Sequence, residues 1–181
     1  MQETEMAAPQ TSSTSARALL QHPGIRQFIK FCIVGASSTL ISTAFFYVLV
    51  YQVHLDKLLH LWLMDQPQLQ HLVDRNRLYI QVAALVGFIF GVTNGFYWNT
   101  RWTFRQNDPA RRKSQYIKFV LVNVVGLTLN QIILFTVTGL LTAGKTTTDK
   151  GWEPMIAFGV ATGIVVFWNF FANKHWTYKS T

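Results

Sequence analysis

LYIQVAALVGFIFGVTNGFYWNT, residues 78–100, runs for 23 residues without an Asp, Glu, Lys, Arg or His. It leads directly into RWTFR, residues 101–105, where charge returns beside Trp. A helix rises about 1.5 Å per residue, so about 20 apolar residues cross a hydrocarbon core ~30 Å thick. Three other stretches meet the same condition: Phe31–Tyr51 (21 residues), Phe119–Gly144 (26) and Pro154–Asn173 (20). Core helices of soluble domains rarely need that length, and four of them in 181 residues leave no room for such a domain. The fold class read from the sequence is all-α integral membrane, with four transmembrane helices.

Lys and Arg set the orientation. One side of the spans holds eleven of the 16, including Arg26, Lys30, Arg101, Arg105, Lys118 and Lys174, and the other holds five. Five acids balance those five, so the whole net charge of +8 lies on the first side. Both termini and the 101–118 loop are therefore expected to be cytoplasmic. Positive-inside topology accounts for the basic excess, so membrane lipids with anionic headgroups are the expected partners and nucleic acid is not. Cys32 is the only cysteine, which excludes an intrachain disulfide. The first apolar run is long enough to stay as a signal-anchor.

The chain divides into two similar halves. Gln27-Phe28-Ile29-Lys30-Phe31 opens the first span and Gln115-Tyr116-Ile117-Lys118-Phe119 opens the third, 88 residues later. Tyr97-Trp98-Asn99-Thr100-Arg101-Trp102-Thr103-Phe104-Arg105 leaves the second span. Phe171-Ala172-Asn173-Lys174-His175-Trp176-Thr177-Tyr178-Lys179 leaves the fourth, 74 residues later. Two spans per half give both halves one orientation, so the expected architecture is two tandem, parallel two-helix repeats. Residues 1–24 read as a disordered cytoplasmic tail and 25–105 as the first repeat, with an external amphipathic loop at 52–77. Residues 106–114 read as a basic cytoplasmic loop and 115–181 as the second repeat. The 52–77 loop reads as a surface connector or as a lid over a lipid-binding surface. Gly87, Gly91 and Gly95, and likewise Gly159 and Gly163, recur at four-residue spacing, which suits close helix packing or a groove for a lipid chain.

The duplicated motif supplies the candidate ligand site. Lys30, Arg101, Lys118 and Lys174 offer charge and donors to a phosphate. Trp102 and Trp176 suit the interface and can stack on a sugar face. Asn99 and Asn173 place an amide at each span end, able to donate to phosphate and to exchange hydrogen bonds with a hydroxyl. Asn94, Asn123 and Asn169 are secondary candidates, and Asn130 with Gln131 would either bond across the bundle or line a polar path. The ordinary alternative is an aromatic belt with positive-inside charge and helix–helix hydrogen bonds. The cluster as a whole points to an anionic, amphipathic ligand.

Catalytic and cofactor signals are lacking. No His pairs at helical spacing and no nucleotide motif occur, so neither an enzyme nor a cofactor is expected. His60, His71, Asp65 and Asp74 share one loop without metal-site spacing, and no metal is expected. No carboxylate lies within a span, which argues against a proton antiporter.

Four spans, the Phe/Tyr-Ile-Lys-Phe opening and the Asn-x-x-Trp-Thr-Phe/Tyr exit resemble the GtrA-like family of small bacterial membrane proteins, over about residues 26–179. The family's exit pattern carries a basic residue directly after the Asn. Lys174 fits it, whereas Thr100 departs from it, with the charge moved to Arg101. The resemblance implies a place in the bacterial cytoplasmic membrane and a role in cell-envelope polysaccharide synthesis or modification. It implies flippase-type translocation of a polyprenyl-phosphate lipid, commonly sugar-linked. A non-transporting partner or anchor of a membrane glycosyltransferase is the alternative, with the 101–118 loop as its docking surface. A homo-oligomer is a further expectation, because four helices enclose little volume.

Overall fold

The computed structural model describes residues 22–63, 78–106, 108–143 and 151–179. These residues are helical and contain no strand. Helix α1 spans Pro23–Tyr47, α2 Leu55–Trp62, α3 Leu78–Trp98, α4 Arg112–Thr142 and α5 Glu153–Ala172. All but α2 are long and apolar enough to cross a membrane. The chain is a membrane protein with four apolar spans.

Helix α1 starts where its caps dictate. His22 accepts the Gly24 N–H on Nδ1 at 3.3 Å, and Pro23 fills a first-turn position that has no N–H to satisfy. The helix therefore begins at Pro23, ahead of the 24/25 boundary expected for the tail. Likewise α4 begins at Arg112, inside the stretch expected to be loop. Of the 52–77 loop, the described part contains the short helix α2, and residues 64–77 lie outside the described residues. The same is true of residues 1–21 of the tail.

The outer surface of the spans is rich in large apolar side chains. Phe135 is 84% exposed, Met155 77% and Leu40 72%. Surface of that kind belongs against lipid, where no polar face is wanted.

Helix packing follows a ring. α1 packs along α3, and α4 along α5. The two pairs meet more sparingly, α3 against α4 and α1 against α5. No Cα of α1 comes within 8 Å of one in α4, so the diagonal of the ring is open. Small residues set the close approach within a pair. A Cβ on Gly87 would lie 2.5 Å from the Ser42 carbonyl oxygen, and one on Gly91 2.9 Å from that of Ser38. Gly159 and Gly163 have nothing within 4 Å of a Cβ. The packing face of α5 is instead carried by the fully buried Ala157 and Ala161.

The core lies at one end of the ring. Phe104 and Tyr178 stack face to face at 4.3 Å between the pairs. Phe31 meets Phe170 edge-on at 5.5 Å, and Phe119 meets Phe96 edge-on at 5.7 Å. These two contacts correspond to each other under the sequence offsets of 88 and 74. So do Phe31–Phe104 (6.3 Å) and Phe119–Tyr178 (6.4 Å).

Candidate functional site

Both exit motifs adopt the same unusual backbone. Each span ends in a π-helical turn, Asn99–Thr103 after α3 and Asn173–Thr177 after α5. The N–H of the following aromatic reaches back five residues, Phe104 N to Asn99 O at 2.8 Å and Tyr178 N to Asn173 O at 2.9 Å. Such turns widen the helix by one residue and recur at functional sites. A third π-helical turn, Val48–Gln52, ends α1.

The turns divide each motif into two faces. Asn99, Thr103, Asn173, Thr177 and Tyr178 face inward and are buried. Arg101, Trp102, Arg105, His175, Trp176 and Lys179 stand exposed. The two amides expected to meet ligand are thus enclosed by protein. Asn173 Nδ2 donates to Asn169 O at 2.8 Å. Its Oδ1, the Oδ1 of Asn99 and the hydroxyls of Thr103 and Thr177 have no hydrogen-bond partner among the described residues. The four orphaned atoms occupy identical motif positions in the two halves.

The exposed faces pair cations with rings. Lys30 Nζ lies 5.2 Å from the Trp102 ring centroid, and Lys118 Nζ 5.7 Å from that of Trp176. These pairs also correspond under the two offsets. Arg101 lies over Tyr97 at 4.8 Å, and Lys174 over Phe170 at 5.7 Å. The ring face attracts the cation and holds the long side chain in place.

Lys30 and Lys174 additionally come together around a basic vestibule of about 490 Å³, with Arg26, Arg105, Gln27 and Thr103. It lies beside the first turn of α1, with His22, Pro23 and Gly24 on its wall, at the positive end of the helix dipole. Gln27 Nε2 donates to Thr103 O at 3.4 Å across the wall. Sequence reasoning missed Arg26 as a site residue; its signal was the i, i+4 spacing to Lys30. Arg105, the last position of the first motif, holds a left-handed backbone with φ 52°, which turns the chain away from the helix axis.

The corresponding place in the other half is different. Thr100 stands where Lys174 would, is buried, and shares a hydrogen bond with the Tyr178 hydroxyl at 3.1 Å. Burial pushes the Tyr178 phenol above its ordinary range, and the Thr100 bond only partly offsets this. The departure of Thr100 from the motif thus removes one cation and ties the two halves together.

The remaining candidates fall elsewhere. Trp176 lines an apolar groove of about 580 Å³ between α4 and α5, with Leu121, Val125, Trp168 and Ala172. Trp98 replaces Ala172 at the matching position of the first half. Asn94 Nδ2 bonds Ser37 and Ser38 Oγ at 3.2 and 3.1 Å, a helix–helix contact. Asn123 Nδ2 donates to Phe119 O at 2.8 Å on its own helix. Asn169 lies against Gly126 and, with Asn123 and Asn130, lines a cavity inside the ring. Among the described residues no group of His, Cys, Asp and Glu could hold a metal, and Asp65, His71 and Asp74 lie outside them.

Residues 30–178 match the family model described as GtrA/DPMS, transmembrane domain. No curated protein matches the chain. With the match reaching into all four spans and covering most of the chain, the chain belongs to the GtrA/DPMS transmembrane-domain family.

Proposed function

We propose that this protein carries a polyprenyl-phosphate lipid, sugar-linked, across the bacterial cytoplasmic membrane for cell-envelope polysaccharide synthesis or modification. The observation that carries the reading is the vestibule shared by Lys30, Arg105 and Lys174, one anion site drawn from both halves. Four cations converge there without an acid among the lining residues, which suits a phosphate. Ile29 and Ile33 stand exposed on the same helix as Arg26 and Lys30, which suits a long hydrocarbon tail. The family is associated with polyprenyl-phosphate sugar handling, which supports this ligand class. In this reading the basic end faces the cytoplasm, no covalent step occurs and no cofactor is needed.

A second reading is an anchor for a glycosyltransferase. Arg111, Arg112 and Lys113 all stand exposed at the start of α4, and Asp108 pairs with Arg111 at 3.3 Å, leaving the other two available to a partner. Reconstitution in liposomes with labelled polyprenyl-phosphate glucose separates the two. Under the carrier reading, Lys30→Gln with Lys174→Gln lowers transfer at least about tenfold, because two charge-assisted hydrogen bonds are lost. Neutralising Arg111, Arg112 and Lys113 leaves transfer unchanged. The reverse pattern, with glycosyltransferase recruitment lost, establishes the anchor.

A further inference from the structure

Inside the ring, along its open diagonal between α1 and α4, lies a cavity of about 560 Å³. It is within the size range of small-molecule sites, about 300–1,000 Å³. Its lining is unusual for membrane depth. Ser42, Thr162, Asn123, Asn130 and Asn169 contribute hydroxyls and amides, and no Lys, Arg, His, Asp or Glu is among the lining residues. Polar groups at that depth are costly and persist where they meet a partner or line a cavity. Asn169 Oδ1 is buried and has no hydrogen-bond partner among the described residues. Asn94, by contrast, is satisfied by Ser37 and Ser38.

The chemistry discriminates between ligands. A phosphate moved into this cavity would carry charge with no cation to pair it, at a large desolvation cost. A hydroxyl-rich, uncharged group could donate to the unpartnered Asn169 Oδ1 and exchange hydrogen bonds with Asn130 at little cost, whereas Asn123 Nδ2 is already bonded to Phe119 O. The basic vestibule has the opposite preference, and Phe31 and Phe119 in the cavity wall contact Phe104 and Tyr178, Phe104 being the chain neighbour of the vestibule residues Thr103 and Arg105.

We propose that this cavity is a second binding site, selective for the uncharged polyol part of a lipid headgroup, and distinct from the anion site at the basic end. That the polyol is the sugar of a polyprenyl-phosphate lipid rests on the carrier reading; the site itself does not. The headgroup is thus read in two places, its phosphate by cations and its sugar by amides.

Cys32 lines the cavity and is half-buried, so it reports occupancy without a new cysteine. The experiment uses the full chain in lipid nanodiscs and measures alkylation of Cys32 by a small neutral maleimide. Octyl glucoside and octyl phosphate are compared as probes, below the concentrations that dissolve the bilayer. Octyl glucoside is expected to slow alkylation at least about threefold, consistent with one or two neutral hydrogen bonds. Octyl phosphate is expected to leave it unchanged. Asn130→Leu and Asn169→Leu should each abolish the protection while keeping the rate without probe. Asn130 is not among the groups packed on Gly126, so its variant remains informative if Asn169→Leu fails to insert. Equal protection by both probes, or protection surviving Asn130→Leu, overturns the proposal. In parallel, wild type should bind polyprenyl-phosphate glucose about fivefold more tightly than polyprenyl phosphate, and Asn130→Leu should bind the two alike. If neither polyprenyl lipid binds, the carrier reading falls while the Cys32 result still decides the cavity.

Discussion

Asn99 and Asn173 hold the same position in their motifs, and each keeps a buried Oδ1 without a hydrogen-bond partner among the described residues. An acceptor in that condition costs roughly 1–3 kcal/mol. Replacing both by Leu, of nearly the same shape, removes that cost but also the Asn173 Nδ2 bond to Asn169 O, so thermal stability is expected to stay within about 1 kcal/mol of wild type. If the amides serve the moving headgroup, transfer in liposomes drops at least about tenfold in the same variant, since groups kept at a stability cost tend to be functional. Reduced stability together with intact transfer would show instead that the amides only hold the turns. The motif itself was legible in the sequence because its residue types repeat. Its division into a buried Asn-Thr-aromatic face and an exposed cation-Trp face was not. That division depends on the π-helical turns, which leave no compositional mark: Asn99-Thr-Arg-Trp-Thr103 would read equally well as α-helix.

At the scale of elements, the four spans were legible because an uncharged run of sufficient length has few other uses. Which face of each span packs was only half legible. Gly87 and Gly91 do form the contact of α3, whereas Gly159 and Gly163 look outward and Ala157 with Ala161 make the contact of α5. Spacing alone reports that small residues share a face, not where that face points. The distinction is testable by substitution. Gly87→Ala must displace the Ser42 backbone and should lower stability by about 1–3 kcal/mol, the range for overpacking. Gly159→Ala and Gly163→Ala should stay within about 0.5 kcal/mol of wild type. Unfolding in mixed micelles would measure all three. A loss at Gly163 comparable to that at Gly87 would mean that α5 packs through its glycine face.

For the molecule as a whole, the aromatic cluster is expected to act as a barrier between a charged vestibule and an uncharged cavity, since Phe31 and Phe119 line the cavity and Phe104 falls between the vestibule residues Thr103 and Arg105 in the chain. Phe104 and Tyr178 form its centre, with Gln106 Nε2 donating to Tyr178 O at 3.1 Å and Thr100 bonded to the Tyr178 hydroxyl. Truncating both rings, Phe104→Ala with Tyr178→Ala, should open a direct path from the basic end. A membrane-impermeant maleimide applied from that side would then alkylate Cys32 at least about tenfold faster than in wild type, as expected when large buried rings leave a void. An unchanged rate would place the barrier elsewhere. The same stack bears on biosynthesis. Most of the packing of α1 and α3 is against each other, so this hairpin can form as soon as its two spans are in the bilayer. The α4–α5 hairpin can do likewise. The seam between them can begin with Phe96 against Phe119 once α4 is inserted, whereas its stacked centre needs Tyr178, which follows the fourth span. Assembly can therefore proceed in two parts, each hairpin first and the Phe104–Tyr178 stack once the fourth span is in place.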